Sequence, residues 1–204
     1  MRRHARAFYI IFVFLVLSLT YGCASYRAWD LPRISKWPPT PPSSEYSVKL
    51  IKLVTGAELT INGKAEKSGG LLLNMVSLKT EEAYLVSGLF RVADPRYEYQ
   101  PDYVIEVRVS DRETVDPSSM LLSALTLFIK EGEMTDEYTL HTTIKDRNGV
   151  VLGNFEKSET VVYKQRLWLF FAMFTRLPDV VSKEALYDLN CATINEALAK
   201  GVFQ

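Results

Sequence analysis

Cysteine and histidine are scarce in this chain of 204 residues, which contains two of each. Clustered cysteine and histidine ligands for zinc, and most imidazole-based catalysis, are therefore excluded. An excess of one charge is also lacking, because 24 basic residues balance 24 acidic ones. A chain without net charge has no global field that would recruit nucleic acid. Hydrophobic residues make up 48% of the chain, which is typical of a globular domain.

The N-terminal segment has the pattern of an export signal. Arg2, Arg3 and Arg6 come first, and residues 7–19 then carry no charge. A basic start followed by a short apolar run and small residues is typical of a signal peptide. As a helix this run spans about 20 Å, which is short of the roughly 30 Å hydrocarbon core of a bilayer. An uncleaved anchor therefore requires residues 20–24 to enter the membrane as well.

Cys23 follows this apolar run closely and is preceded by a glycine. The arrangement resembles the lipobox of bacterial lipoproteins, in which the cysteine becomes the diacylated first residue of the mature chain. Thr20 and Tyr21 depart from that pattern, in which leucine and a small residue are usual. The resemblance implies a signal peptide over residues 1–22 and lipidation of Cys23. Two alternatives stay open, a secretory signal cleaved after Ala24 and an uncleaved anchor.

The lipoprotein resemblance also implies a location. Each buried methylene group contributes about 0.8 kcal/mol, so two or more acyl chains hold a protein stably on a bilayer. Ala24, rather than an aspartate, follows Cys23, and in lipoproteins this favours the outer membrane over the inner one. We therefore expect the membrane to be a partner through N-terminal acyl chains, with the protein on the periplasmic face of the outer membrane.

Residues 23–44 are predicted to form a proline-rich membrane tether, because they hold five of the nine prolines. Proline lacks an amide donor and fixes φ, so this segment is expected to be extended and unpaired. Such a spacer reaches about 3.1 Å per residue. Trp29 and Trp37 lie within it and either contact lipid headgroups or fold back onto the domain.

Residues 45–204 are predicted to form one α+β domain, with a mostly antiparallel sheet packed by about two helices. The clearest strand covers residues 102–111, where apolar and polar residues alternate. A long hairpin is expected next, with two strands joined by a turn at Asp146–Gly149. Earlier strands are expected at residues 46–54 and 57–62, the second ending in an Asn-Gly turn.

Two helices are predicted from apolar residues at helical spacing. The first ends near Gly88, and its apolar face consists of Leu71, Met75, Leu78, Leu85 and Leu89. The second covers about residues 179–200, with Pro178 in its first turn. Its inner stripe consists of Leu186, Leu189, Thr193, Ile194 and Ala197.

Two further segments, residues 120–129 and 167–174, are apolar nearly all round. Each is too short to span a bilayer, which takes about 20 residues. One interpretation buries them in the core, and the other leaves them exposed to lipid or a partner. The candidate membrane or partner contacts in the second segment are Trp168, Phe170, Phe171 and Phe174.

Few residues are suited to catalysis. His141 is the one histidine beyond the signal, and no Gly-x-Ser-x-Gly motif accompanies it, so we interpret it as an exposed strand residue. Cys191 is predicted to be a small buried core residue. The acidic residues within 131–137 lack the spacing of a calcium loop and are interpreted as a solvated turn. We expect no catalytic residue, no metal and no cofactor.

The whole arrangement resembles small outer-membrane lipoproteins of Gram-negative bacteria. This likeness implies a role in envelope assembly or transport and carries over no catalytic residue. We expect a non-enzymatic lipoprotein that acts by protein binding or scaffolding, with an envelope protein as partner and no nucleic acid. The alternative is a carrier of lipid or another apolar ligand that uses residues 120–129 and 167–174. The likeness rests on Cys23, residues 102–107, Leu125-Thr126-Leu127 before Tyr138-Thr139-Leu140, and the turn at 146–149 before Leu152-Gly153.

Overall fold

The computed structural model describes residues 22–31, 34, 36–41, 46–67, 70–94, 96, 100–126, 131–166 and 177–203. The candidate contacts Trp168, Phe170, Phe171 and Phe174 lie outside these residues, as does the predicted signal apart from Gly22. Within the described residues the elements are β1 (Gly22–Arg27), β2 (Lys49–Ile61), β3 (Lys64–Glu66), α1 (Gly70–Val86), β4 (Phe90–Val92), β5 (Tyr103–Val115), α2 (Pro117–Leu125), β6 (Gly132–Asp146), β7 (Val151–Arg166) and α3 (Pro178–Ala199).

The strands form one sheet in the order β1-β7-β6-β5-β2-β3, with β4 also paired to β2. The pairs β1–β7, β7–β6, β6–β5 and β2–β3 are antiparallel. The pairs β2–β5 and β2–β4 are parallel, and α1 lies in the connection that a parallel pair requires. Helices α1 and α3 pack against each other and against the sheet. This architecture confirms the α+β prediction.

The alternation predicted for β5 and β6 is confirmed. One face of each strand is buried, and the two faces form a continuous core surface because the strands pair in register. The turn between β6 and β7 is also confirmed, since Asp146 Oδ1 accepts bonds from the amides of Asn148 and Val150. The buried residues at the predicted positions are Tyr103, Ile105, Val107, Val109, Tyr138, Leu140, Thr142 and Ile144.

Helix α3 agrees with the sequence prediction in both its limits and its buried face. It begins at Pro178, whose missing amide donor costs nothing in the first turn. Every residue of the predicted inner stripe is buried, from Leu186 to Ala197. Cys191 is buried beside this stripe, as predicted, with 1% of its surface exposed.

Helix α1 forms where it was expected, but three of the five residues predicted for its inner face are exposed. Of the other two, Leu89 is buried and Met75 packs against the core. Leu71, Leu78 and Leu85 are exposed, with 82% of Leu71 accessible to solvent. The buried side instead includes the small residues Thr80 and Ala83, which allow the helix to approach α3 and the sheet closely. Counting the largest apolar residues therefore selected the wrong side of the helix. The full set of buried residues is Leu72, Val76, Thr80, Ala83 and Tyr84.

Strand β2 is longer than predicted. The two strands expected at residues 46–54 and 57–62 are one strand, which continues through Gly56. The Asn-Gly turn is confirmed at its end, where Asn62 and Gly63 both have positive φ. At Gly56, Arg108 of β5 packs over the strand, with its Cγ 3.6 Å from the position that a Cβ would take.

The described part of residues 23–44 differs from the unpaired tether expected there. Its first residues belong to β1, which makes six residue pairs with β7, from Gly22–Arg166 to Arg27–Val161. Leu31 and Trp37 further along the segment contact the core. Proline content misled the prediction, because the prolines begin only at Pro32, beyond the strand. Among the described helices, none combines the length and apolar composition needed to cross a bilayer.

Candidate functional site

The register of the sheet places Cys23 at one end of it, which we call the Cys23 end. Cys23 pairs with Gln165 near the end of β7, and Gln165 also pairs with Gly132 at the start of β6. Adjacent strands are about 4.8 Å apart, so the Cα atoms of Cys23 and Gly132 are separated by about 10 Å. Val115, the last residue of β5, lies at the same end.

A buried ionic cluster holds the residues that follow Cys23 on the sheet. The Arg27 guanidinium lies 3.2 Å from Glu159 Oε2 and 2.5 Å from Asp188 Oδ2. Glu159 is fully buried, and its carboxylate also accepts bonds of 3.0 Å from the amides of Trp29 and Leu31. We call Arg27, Glu159 and Asp188 the β1 clamp, because they fasten β1 and the residues after it to β7 and α3.

Arg27 and Asp188 of the β1 clamp line a cleft of about 450 Å³ between α3 and described residues of the segment that follows β1. Trp37 closes this cleft, since its Nε1 donates a 2.9 Å bond to the Tyr187 hydroxyl. Trp37 thus folds back onto the domain. Cys191 lines the cleft, but burial raises the pKa of its thiol to about 12. A thiol with that pKa stays protonated and is a poor nucleophile.

Three carboxylates share the buried face of the sheet near the Cys23 end. Asp111 and Glu113 lie on β5, and Asp136 on β6 pairs directly with Glu113. Asp111 and Asp136 are 6% and 7% exposed, and each has a buried Oδ1 without a hydrogen-bond partner in the described part of the chain. Burial, together with the charges of Asp136 and Glu113, raises the pKa of Asp111 to about 7.

Hydroxyl groups lie beside these three carboxylates and form a hydrogen bond with one of them. Tyr138 donates a 3.1 Å bond to Asp136 Oδ2, and the Tyr163 hydroxyl is 2.8 Å from that of Ser182 on α3. Burial raises the pKa of Asp136, although these tyrosine hydroxyls oppose the shift. The interpretation of residues 131–137 as a solvated turn is wrong, since nearly all of them belong to β6. The strand alternation would have found Asp111 and Asp136, because each continues the inward series of its strand.

Helix α2 occupies the first part of the apolar segment 120–129 and lies at the Cys23 end. Ser123 is its buried residue, and Leu121, Leu122 and Leu125 are exposed by 62%, 41% and 71%. Core burial is thus wrong for these three leucines. Residues 127–129 lie outside the described part of the chain.

The histidine considered for imidazole-based catalysis is exposed in the structure. His141 is exposed on β6, as predicted, and its Nδ1 lies 3.4 Å from Glu156 on β7. No serine or cysteine of the described chain accompanies this pair in a hydrogen bond with the imidazole. Within the described ranges, no group of three histidine, cysteine or acidic residues has an arrangement that could hold a metal ion.

No protein-family model and no curated protein matches the chain. Solved structures similar to it include the following two. A minor lipoprotein from Acinetobacter baumannii has 13% identity and a TM-score of 0.41, over 76% of this chain and 93% of that chain. The PelC dodecamer from Paraburkholderia phytofirmans has 10% identity and a TM-score of 0.27, over 82% of this chain and 94% of that chain. Both likenesses are too distant to assign a function.

Proposed function

We propose that this chain is a lipid-anchored envelope lipoprotein that acts by binding a protein partner, without catalysis. Its proposed location is the periplasmic face of the outer membrane. The observation that carries the proposal is Cys23, which follows a basic start and an uncharged run and has alanine after it. The fold is compatible with it, because cleavage before Cys23 removes only Gly22, the first residue of β1, from the described residues.

The exposed side of α1 supports a binding role. Leu71, Leu78 and Leu85 recur every seven residues and are accessible along the helix. Exposed apolar patches of this kind are uncommon on monomers and mark contact surfaces. An envelope protein with a complementary apolar surface is the proposed partner.

The carrier alternative requires the apolar segments to line a cavity. In the described part of the first segment, Leu121, Leu122 and Leu125 instead face solvent. We therefore favour protein binding over carriage. Organic extraction of the purified protein followed by lipid mass spectrometry should find far less than one equivalent of non-covalent lipid. One bound lipid per chain would favour the carrier.

Mass spectrometry of the mature protein tests the anchor. We expect an N-terminal residue at Cys23 whose sulfur carries a diacylglyceryl group. A Cys23→Ala variant should lose this mass and leave the membrane fraction, whereas Cys191→Ala should keep both. A mature chain that begins at Ser25, or one that keeps residues 1–22, would overturn the proposal.

A further inference from the structure

The exposed leucines of α2 lie on one side of the helix. Leu121, Leu122 and Leu125 fall within about 100° of the helix circumference, at the standard rotation of 3.6 residues per turn. Ser123, on the opposite side, is fully buried. No charged residue occurs between Pro117 and Leu125, so the exposed side carries three leucines and no partner for an ion pair.

Helix α2 packs closely against the start of β6. A Cβ at Gly132 would lie only 3.0 Å from Met120 Sδ and 3.3 Å from the Cβ of Ser123. A larger residue at position 132 would therefore require the side chains of Met120 and Ser123 to shift by a few tenths of an ångström. Asp116 caps the helix, since its Oδ1 accepts a 2.9 Å bond from the Ser118 amide.

The same glycine connects α2 to the proposed anchor. Gly132 and Cys23 both pair with Gln165, one from each side of β7, so their Cα atoms are about 10 Å apart. A diacylated Cys23 would lie at the bilayer surface, and β1 holds it against the sheet without a spacer. Helix α2 packs against Gly132, so it lies on the side of the sheet end that would face the headgroup region, into which interfacial helices insert by about 5–10 Å.

We propose that the leucine face of α2 is a membrane-contact surface, inserted among the lipids beside the Cys23 anchor. This inference rests on the proposed function and deepens it, because it assigns an orientation to the anchored domain. This surface binds the lipid bilayer, because its leucine side chains insert among the lipids, and no charged side chain of α2 takes part. The sheet would thus stand with its Cys23 end on the membrane and the turn between β6 and β7 pointing away.

A fluorescence experiment on the full acylated protein tests this orientation. In a Cys191→Ala background, single cysteines at Leu121 or Leu125 are labelled with an environment-sensitive fluorophore. Val150→Cys is the matched control, because Val150 is 58% exposed and lies at the opposite end of the sheet. The protein is reconstituted into vesicles of phosphatidylethanolamine and phosphatidylglycerol, with and without lipids that carry a quencher on the acyl chain.

We expect blue-shifted emission at positions 121 and 125, and lipid quenching at least about twofold stronger than at position 150. Equal quenching at all three positions of a vesicle-bound protein would overturn the orientation and leave the anchor intact. A blue shift without lipid quenching would mean that a second copy covers α2, which also overturns it. Failure of the protein to remain on vesicles would instead overturn the proposed function itself.

Discussion

The two ends of the sheet are built from different residues. At the end opposite Cys23, Phe203 packs edge-on against Phe90 and Tyr103, with ring centroids 4.8 and 5.4 Å apart. We call this the aromatic end. At the Cys23 end, the buried face instead carries Asp111 and Asp136, and the nearby helix exposes its leucines.

The residues of the aromatic end favour stability, whereas those of the Cys23 end are not explained by stability alone. Aromatic contacts bury large apolar areas and account for much of the energy of a core. Buried carboxylates with unpartnered oxygens cost stability, and exposed leucines contribute little to it. Their concentration beside the proposed anchor suggests that the Cys23 end serves contact with the membrane.

The largest effect is expected in the β1 clamp, which joins β1 to the sheet between the two ends. Glu159→Ala would leave the Arg27 guanidinium buried, with only the half-exposed Asp188 as partner. We expect a loss of about 3–5 kcal/mol in the free energy of unfolding, measured by chemical denaturation. Glu156→Ala, an exposed residue on the same strand, should change it by less than about 0.5 kcal/mol. Similar losses for the two variants would contradict a structural role of the clamp.

At the aromatic end, Phe203→Ala should cost about 3 kcal/mol, because it removes a ring that is 1% exposed and contacts two others. The same denaturation measurement applies. Leu71→Ala on the exposed side of α1 is the control and should cost less than about 0.5 kcal/mol. A negligible change in the free energy of unfolding for Phe203→Ala would show that aromatic packing does not stabilise this end.

At the Cys23 end, Asp111→Asn should stabilise the protein at high pH. The carboxyl has an ordinary pKa of 3.8 and a folded-state pKa of about 7, so the folded state retains the proton that the unfolded chain releases. The stability of the parent therefore falls as pH rises from about 4 to about 7. The gain in the variant should be small near pH 4 and on the order of 2 kcal/mol near pH 8.

Denaturation curves at several pH values measure this gain. Glu58→Gln, an exposed residue on β2, is the control and should show no comparable trend with pH. A gain for Asp111→Asn that is the same at every pH would contradict the ionisation of Asp111 as its cause.

The smallest effect is expected on α2. Leu121→Ala should change the free energy of unfolding in detergent solution by less than about 0.5 kcal/mol, since the side chain is 62% exposed. Leu186→Ala on the buried side of α3 should cost about 2–5 kcal/mol. A large loss for Leu121→Ala would show that its side chain is part of the core and would remove the contrast between the ends.

The parts of the fold that follow from local pattern could be predicted from the sequence. Strand β5 and helix α3 each have one exposed face and one buried face, so the spacing of their apolar residues in the sequence predicts which side chains are buried. Helix α1 shows the limit, because Leu71, Leu78 and Leu85 follow the helical period as well as a core stripe does. Only its packing against α3 shows that the side with Thr80 and Ala83 is buried.

The candidate site was less accessible to prediction. Cys23 was found from its neighbours in the sequence, but its place on the sheet depends on pairing with Gln165, far along the chain. The β1 clamp likewise joins Arg27 to Glu159, 132 residues away. Asp136 was missed because the acidic residues within 131–137 were interpreted as a solvated turn, and Asp111 was not considered as a site residue. The alternation of their strands points both inward.

If Cys23 is acylated as proposed, the pairing of β1 with β7 has a consequence for the order of maturation. A cysteine cannot occupy the active site of a modifying enzyme and a strand of its own domain at once. If Cys23 is acylated as proposed, β1 joins the sheet only afterwards, and until then one side of β7 is an open edge. Open edges recruit strands from other chains. The precursor would therefore be most prone to self-association before it receives its lipid. In the finished protein, β1 would cover the edge of β7 and prevent this.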